Sequence, residues 1–185
     1  MGTAVLLLCI VSLSGARQID QQRWARAERE IRRLTPQTYR GLPRSVSRYL
    51  LRHGYTIPQS YDRQEPHNVV RGRFDGDRLT DWAVLGSRGG SSEILVFWVG
   101  SASRVTRLAR RANLGYVQTV GRDRLGYSRS ISVVGRQYIL DHYRAYGGPN
   151  PPSILHDAID DAFVGKASEV NYYDGVRWHK LQGAD

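Results

Sequence analysis

Cysteine is almost missing from this 185-residue chain, and Cys9 is the only one. No disulfide can close within the chain, so stability has to come from a packed core. Lysine is nearly as scarce: of 27 basic residues only Lys166 and Lys180 are lysine, and the rest are arginine. The sequence holds no G-x-S-x-G, H-E-x-x-H or Ser-x-x-Lys pattern, which removes the commonest serine-hydrolase and zinc-protease arrangements. Phe163-Val164-Gly165-Lys166-Ala167 lacks both the upstream glycine and the Ser or Thr of a phosphate loop. No stretch recurs at a fixed period, which excludes a multi-bladed propeller.

Long apolar runs are equally sparse. Ala4–Leu13 is about ten residues long, too short for a helix that spans a bilayer. Ser14-Gly15-Ala16 follows, with a polar start at Arg17. Small residues after a short apolar core predict a signal peptide over residues 1–16, although the n-region has no Lys or Arg. Cleavage there would remove Cys9 and leave a mature chain without thiols, exported to the periplasm or beyond the cell. No second run of spanning length occurs, so no transmembrane segment is expected in the mature chain. That chain is long enough for one domain, burying roughly two-thirds of its unfolded surface.

The formal net charge is +10, and none of it lies in residues 2–16. Arginine forks match carboxylates and phosphates, so a polyanion is one candidate partner, an anionic envelope polymer in particular. The arginine bias of a GC-rich genome is the other explanation, and the spread of arginines along the chain favours it. Arg104, Arg107, Arg110 and Arg111 around Val105 and Leu108 fit either a polyanion track or a solvated basic face.

Trp24, Ala27, Ile31 and Leu34 recur at helical spacing over residues 20–34, ending before Pro36. A second helix is predicted from Pro43 through Val46, Tyr49, Leu50 and His53, with Gly54 as its C-terminal cap. From Asn68 onward the pattern is β. Val69–Phe74, Trp82–Leu85, the apolar run Ile94–Val99, Ile131–Val134 and Tyr138–Leu140 all read as strand material. Gly86–Ser92 reads as a hairpin connection. Ala167–Tyr173, Asp174-Gly175 and Val176–Leu181 read as a hairpin closed by a type I′ turn, with Val170, Tyr172, Val176 and Trp178 on one buried face. The expected fold is α+β: one antiparallel sheet with the two N-terminal helices packed on it. The parts are a helical segment over 17–55 and a β-rich part over 56–185 of the same domain.

Residues 72–85, GRFDGDRLTDWAVL, place Asp75, Asp77 and Asp81 on a glycine-containing turn just before a strand. Alternating carboxylates can wrap oxygens around a hard cation. The segment resembles a single FG-GAP/VCBS repeat of the integrin-propeller type. That resemblance implies an extracytoplasmic, β-rich protein with calcium ligands at Arg73, Asp75, Asp77 and Asp81. Here the first ligand is an arginine, whose guanidinium could neutralise Asp75 or Asp77. A weak calcium site using those carboxylates and the Leu79 carbonyl stands beside a salt-bridged structural turn, and no other cofactor is expected.

Residues 154–161, ILHDAIDD, gather His156, Asp157, Asp160 and Asp161. His with Asp could serve as a general-base pair or part of a metal site, and on a short helix Asp157 and Asp161 would share a face. Asp157 as a helix cap is the plainer reading. The ending DAFVGKASEVNYYDGVRWHKLQGAD resembles that of a group of uncharacterised exported bacterial proteins. Three functions remain in play: a non-enzymatic binding or envelope-associated module whose partner could be another protein, a polyanion-binding basic protein, and a hydrolase using His156 with the Asp group.

Overall fold

The computed structural model describes residues 18–185, so the leader expected over residues 1–16 lies outside the described residues. A helix over residues 18–29 (α1) comes first. It is followed by β1 (Arg33–Leu34), α2 (Arg44–Arg52), β2 (Ile57–Pro58), β3 (Val69–Gly72), β4 (Asp81–Arg88), β5 (Ser91–Phe97) and β6 (Val105–Ala112). Then come β7 (Val117–Thr119), β8 (Leu125–Tyr127), β9 (Arg129–Val134), α3 (Arg136–Tyr146), β10 (Ala158–Phe163), β11 (Ala167–Tyr173) and β12 (Trp178–Gln182). Helix and sheet are mixed and the strand pairs are antiparallel. Among the described residues no sheet closes into a barrel or propeller.

Where the sequence suggests one sheet, the structure has two of four strands each, ordered β3-β4-β5-β6 and β12-β11-β10-β9. Two short ladders, β1-β2 and β7-β8, stand beside them. On β4 and β5, Ala83, Leu85, Ile94 and Val96 pack with Ile131 of β9 and Ile159 of β10. The alternate residues Val84, Leu95 and Phe97 pack with Val46 and Leu50 of α2 instead. Beyond the second sheet, Ala158, Val170, Tyr172 and Leu181 pack with Ile139 of α3. A strand covered on both faces reads as an unbroken apolar run, so Ile94–Phe97 carries no sign of what covers it. Of the two N-terminal helices, α2 supplies the buried stripe on the first sheet, while α1 lines a cleft with the β7–β8 hairpin.

Helix α2 ends as its sequence predicts. Gly54 sits at φ 68°, its N–H reaches Leu51 O at 3.0 Å, and the Tyr55 N–H reaches Leu50 O at 2.9 Å. That pair of bonds is a Schellman cap, and the Leu50–Tyr55 contact inside the core completes it. Tyr138–Leu140 differs from expectation, because it lies within α3 rather than a strand. Three residues are too few to separate a period of 2 from one of 3.6.

The C-terminal hairpin forms, but in another register. Tyr173 pairs with Trp178, which leaves Asp174–Arg177 as a four-residue loop. Asp174 Oδ1 accepts the N–H groups of Val176 and Arg177, each at 2.8 Å, and that closure displaces the two-residue turn. The single buried face therefore splits. Val170 and Tyr172 turn toward α3, Trp178 joins Tyr173 between the sheets, and Val176 is 86% exposed. His179 also differs from a plain outward residue, since its Nε2 lies 2.5 Å from Asp174 Oδ2.

Candidate anion-binding face

The Asp-rich turn is built from its last carboxylate. Asp81 is fully buried, and its two oxygens accept the Phe74 N–H at 2.9 Å and the Val99 N–H at 2.8 Å. Burial raises its carboxyl above the usual range, while those two N–H groups pull it back. Asp81 thus fastens the end of β3 to the Trp98–Gly100 turn. There Val99 holds φ 53°, a left-handed conformation costly for a β-branched side chain. Asp75 Oδ1 accepts the Asp77 N–H and Asp77 Oδ1 accepts the Leu79 N–H, at 3.2 and 2.7 Å. Among the described residues, no ion pair joins Arg73 to Asp75 or Asp77, and no three His, Cys, Asp or Glu residues converge as metal ligands. The turn is held by side chain-to-backbone bonds rather than by the salt bridge that the sequence suggests.

The His156 group comes apart in a different way. Residues 154–161 are not a helix; Ala158 starts β10, and alternation along that strand sends Asp160 and Asp161 to opposite faces. Asp161 joins Arg129 between the sheets, with Nε–Oδ1 at 2.8 Å. Asp160 lies on the α3 side, where burial pushes its carboxyl up against the opposing effect of Ser168. His156 stacks on Tyr172 with ring centroids 4.7 Å apart. Asp157 exchanges two hydrogen bonds with the backbone of Arg73, at 2.9 and 3.2 Å. Only His156 and Asp157 stay neighbours, against the Gly76 turn, so the four residues form no common base-and-carboxylate centre.

A second histidine has geometry that the sequence does not reveal. Ser60 Oγ lies 2.8 Å from His67 Nε2, and His67 Nδ1 lies 2.9 Å from Glu65 O. A ring nitrogen facing a carbonyl carries the proton, so Nε2 is the acceptor, and it takes the Ser60 backbone N–H at 2.8 Å. The Ser60 hydroxyl is 2.5 Å from Asp62 Oδ1, a charged and therefore stronger acceptor. The hydroxyl therefore donates to Asp62 rather than to the ring, and burial holds His67 below its ordinary value. The trio locks a turn and is not a nucleophile–base pair.

What does converge is arginine. Residues 31–61 contain six arginines and no carboxylate, and residues 94–122 contain five arginines and no carboxylate. The other sixteen basic residues meet all seventeen acidic ones, so these two segments hold the entire excess of positive charge. The fold makes them neighbours. Helix α2 lies on the first sheet, Ser45 Oγ donates to Gly100 O at 3.0 Å, and Arg107 Nη2 of β6 donates to Tyr49 Oη at 3.1 Å. Val46 and Leu50 point into the core, which turns Arg44, Arg48 and Arg52, spaced four apart, to the opposite side of the helix. Arg104 stacks over Trp98 at 4.6 Å; along β6, an edge strand, Arg107 reaches toward α2, whereas Arg111 lines a pocket with Asp161 and Glu169 on the side of the second sheet. Arg40, Arg44 and Arg48 line a groove of about 400 Å³. Of the eleven, only Arg33 has an acidic partner among the described residues, Glu28 at 2.9 Å. Arginine positions alone hide this face, because arginines occur throughout the chain; the gaps between carboxylates reveal it.

Comparison with known proteins finds no matching family model, no matching curated protein and no matching solved structure.

Proposed function

We propose that the chain is an exported, non-enzymatic binding module that docks on an anionic polymer through the α2/β6 face. One observation carries this reading: two segments without a carboxylate pack side by side and set the exposed α2 arginines Arg44, Arg48 and Arg52 near Arg107 of β6. Such a surface attracts polyanions over a distance set by salt, and arginine forks suit their sulfate, phosphate or carboxylate groups. Export rests on the apolar run Ala4–Leu13 with Ser14-Gly15-Ala16, and an envelope polymer is the partner such a location offers. Among the described residues no helix is long and apolar enough to cross a membrane.

Heparin serves as a model polyanion. The native chain should bind it at low salt and be released as salt rises. Replacing Arg44, Arg48 and Arg52 with Gln should lower the eluting salt concentration well below that of a control with Arg71, Arg136 and Arg177 replaced by Gln. The two variants have equal net charge. Equal elution of the two would show that overall charge and not this face drives binding, and the proposal would fall.

A further inference from the structure

Away from that face, α1, the turn at residues 59–64 and the β7–β8 hairpin enclose a cleft of about 580 Å³. That volume lies in the range of small-molecule sites. Five arginines line it, Arg23, Arg26, Arg32, Arg63 and Arg124, against only Glu30 and Asp123. Two of the five are matched: Arg26 pairs with Glu30 at 2.7 Å and Arg63 approaches Asp62 at 3.6 Å. Arg23, Arg32 and Arg124 have no acidic partner among the described residues.

Two of those three are held in place without being neutralised. Arg23 Nη2 donates to Asp123 O and Arg32 Nη1 donates to Gln64 O, each at 2.6 Å. A backbone carbonyl fixes a guanidinium while leaving its charge and its other donors available. The Asp123 carbonyl comes from a turn residue at φ 54°, a left-handed conformation that aspartate tolerates. Gln59, Ser60 and Tyr61 of the lining belong to the turn that His67 and Asp62 tie down through Ser60. Tyr61, 38% exposed, and Leu125 add a non-ionic wall. With the Asp123 carboxylate also in the lining, the surplus is two positive charges, more than a monocarboxylate neutralises, whereas a phosphate monoester is close to a dianion at neutral pH.

We propose that this cleft binds a small phosphate-bearing molecule, its oxyanion held by Arg23, Arg32 and Arg124 and its organic body lying against Tyr61 and Leu125. The site is separate from the α2/β6 face, and it recognises a compact ligand where that face meets a polymer. Two arginines held by carbonyls and a third lining the same volume can supply bidentate hydrogen bonds, and the Tyr61 ring offers a surface for a sugar or similar ring.

Titration calorimetry on the full chain with glucose 1-phosphate, inorganic phosphate and glucose tests this. The expected result is saturable 1:1 binding of glucose 1-phosphate, weaker binding of phosphate, and none of glucose. Arg124→Gln, whose side chain makes no hydrogen bond among the described residues, should weaken glucose 1-phosphate at least ten-fold with the melting temperature unchanged. The Arg44/Arg48/Arg52→Gln variant should bind it as the native chain does. Absence of saturable binding by the native chain would overturn the proposal, as would full affinity in Arg124→Gln. Loss of binding in the α2 variant would move the site to the polymer face. Equal affinity for phosphate and glucose 1-phosphate would remove the role of Tyr61 and Leu125.

Discussion

Arg129 and Arg48 carry the same side chain into opposite surroundings. Arg129 is fully buried between the sheets, and every one of its N–H donors has an acceptor. Nε and Nη2 grip the two Asp161 oxygens at 2.8 and 2.7 Å, Nη1 reaches Ser92 O and Oγ, and Nη2 also reaches Ala109 O. The Ala109 carbonyl is available because β6 bulges there, with Ala109 at φ 50° and a register shift opposite Ser92–Ile94. Tyr116 covers the guanidinium plane at 4.8 Å. Arg48, in contrast, projects from α2 into solvent with no carboxylate in its segment of sequence. The interior has satisfied its arginine completely, while the α2 arginines have no acidic partner among the described residues. A buried cation demands acceptors from its own fold; an exposed cluster of cations is stable alone but attracts anions.

Breaking the interior side of that contrast should have the largest effect. Arg129→Met strands Asp161 as an unpaired buried carboxylate and orphans the Ser92 and Ala109 carbonyls. The cost should be about 3–5 kcal/mol, read as a lowered midpoint in urea. Arg129→Met with Asp161→Leu should recover much of it, since an apolar pair can replace a buried ion pair. A single variant as stable as the native chain would mean that the pair is not buried as described.

Not every buried polar group is satisfied in this way, and at Asp160 pH exposes the difference. Asp160 is buried, its Oδ1 has no hydrogen-bond partner, and burial raises its carboxyl above the ordinary range. A carboxyl raised in the folded state contributes stability that is complete below the unfolded value, about 4, and is lost as pH rises through the raised value. The melting temperature of native protein relative to Asp160→Asn should therefore fall as pH climbs from about 4. A flat or rising difference would show that Asp160 is stabilised as an anion.

Much of this architecture is legible in the sequence, and the illegible parts share a cause. The α2 cap at Gly54, the buried run at Ile94–Phe97 and the presence, though not the register, of the C-terminal hairpin follow from local geometry, and local geometry is what a sequence states. The second sheet is not local: a residue such as Leu95 is equally apolar whether it meets a helix or another sheet. Asp81 looks like its neighbours Asp75 and Asp77, yet as the first residue of β4 it turns its carboxylate indoors. Asp160 and Asp161 are adjacent in sequence and separated by a whole sheet in space, because extended backbone alternates where a helix would not. The arginine face needed both levels, since its two acid-free segments are legible but their contact through Tyr49 and Arg107 is not.

Val99 stands where the two regions meet, and its effect should be smaller. Its left-handed backbone is held by buried Asp81, while its side chain is 52% exposed beside the arginine face. Val99→Asn keeps the N–H to Asp81 and suits the conformation, so it should stabilise the chain by about 0.5–1 kcal/mol. A loss of stability in thermal melts would show that the Val99 side chain contributes packing that outweighs the strain.

Replacing Arg44, Arg48 and Arg52 with Gln should have the least effect on stability and the most on binding. The three lie opposite Val46 and Leu50, touch no carboxylate among the described residues, and share a nine-residue helix without an acidic side chain. Glutamine is nearly as good a helix former as arginine, and removing like charges one turn apart relieves repulsion. Stability should therefore stay within about 0.5 kcal/mol of native. Affinity for heparin at low salt should fall at least about ten-fold, with a shallower dependence on salt, because fewer counterions are displaced on binding. The same substitutions would instead reduce stability by more than that if these arginines were structural in the way Arg129 is. A stable variant with unchanged heparin affinity would place the polyanion contact elsewhere on the surface, the β6 arginines Arg104, Arg107, Arg110 and Arg111 being the next to test.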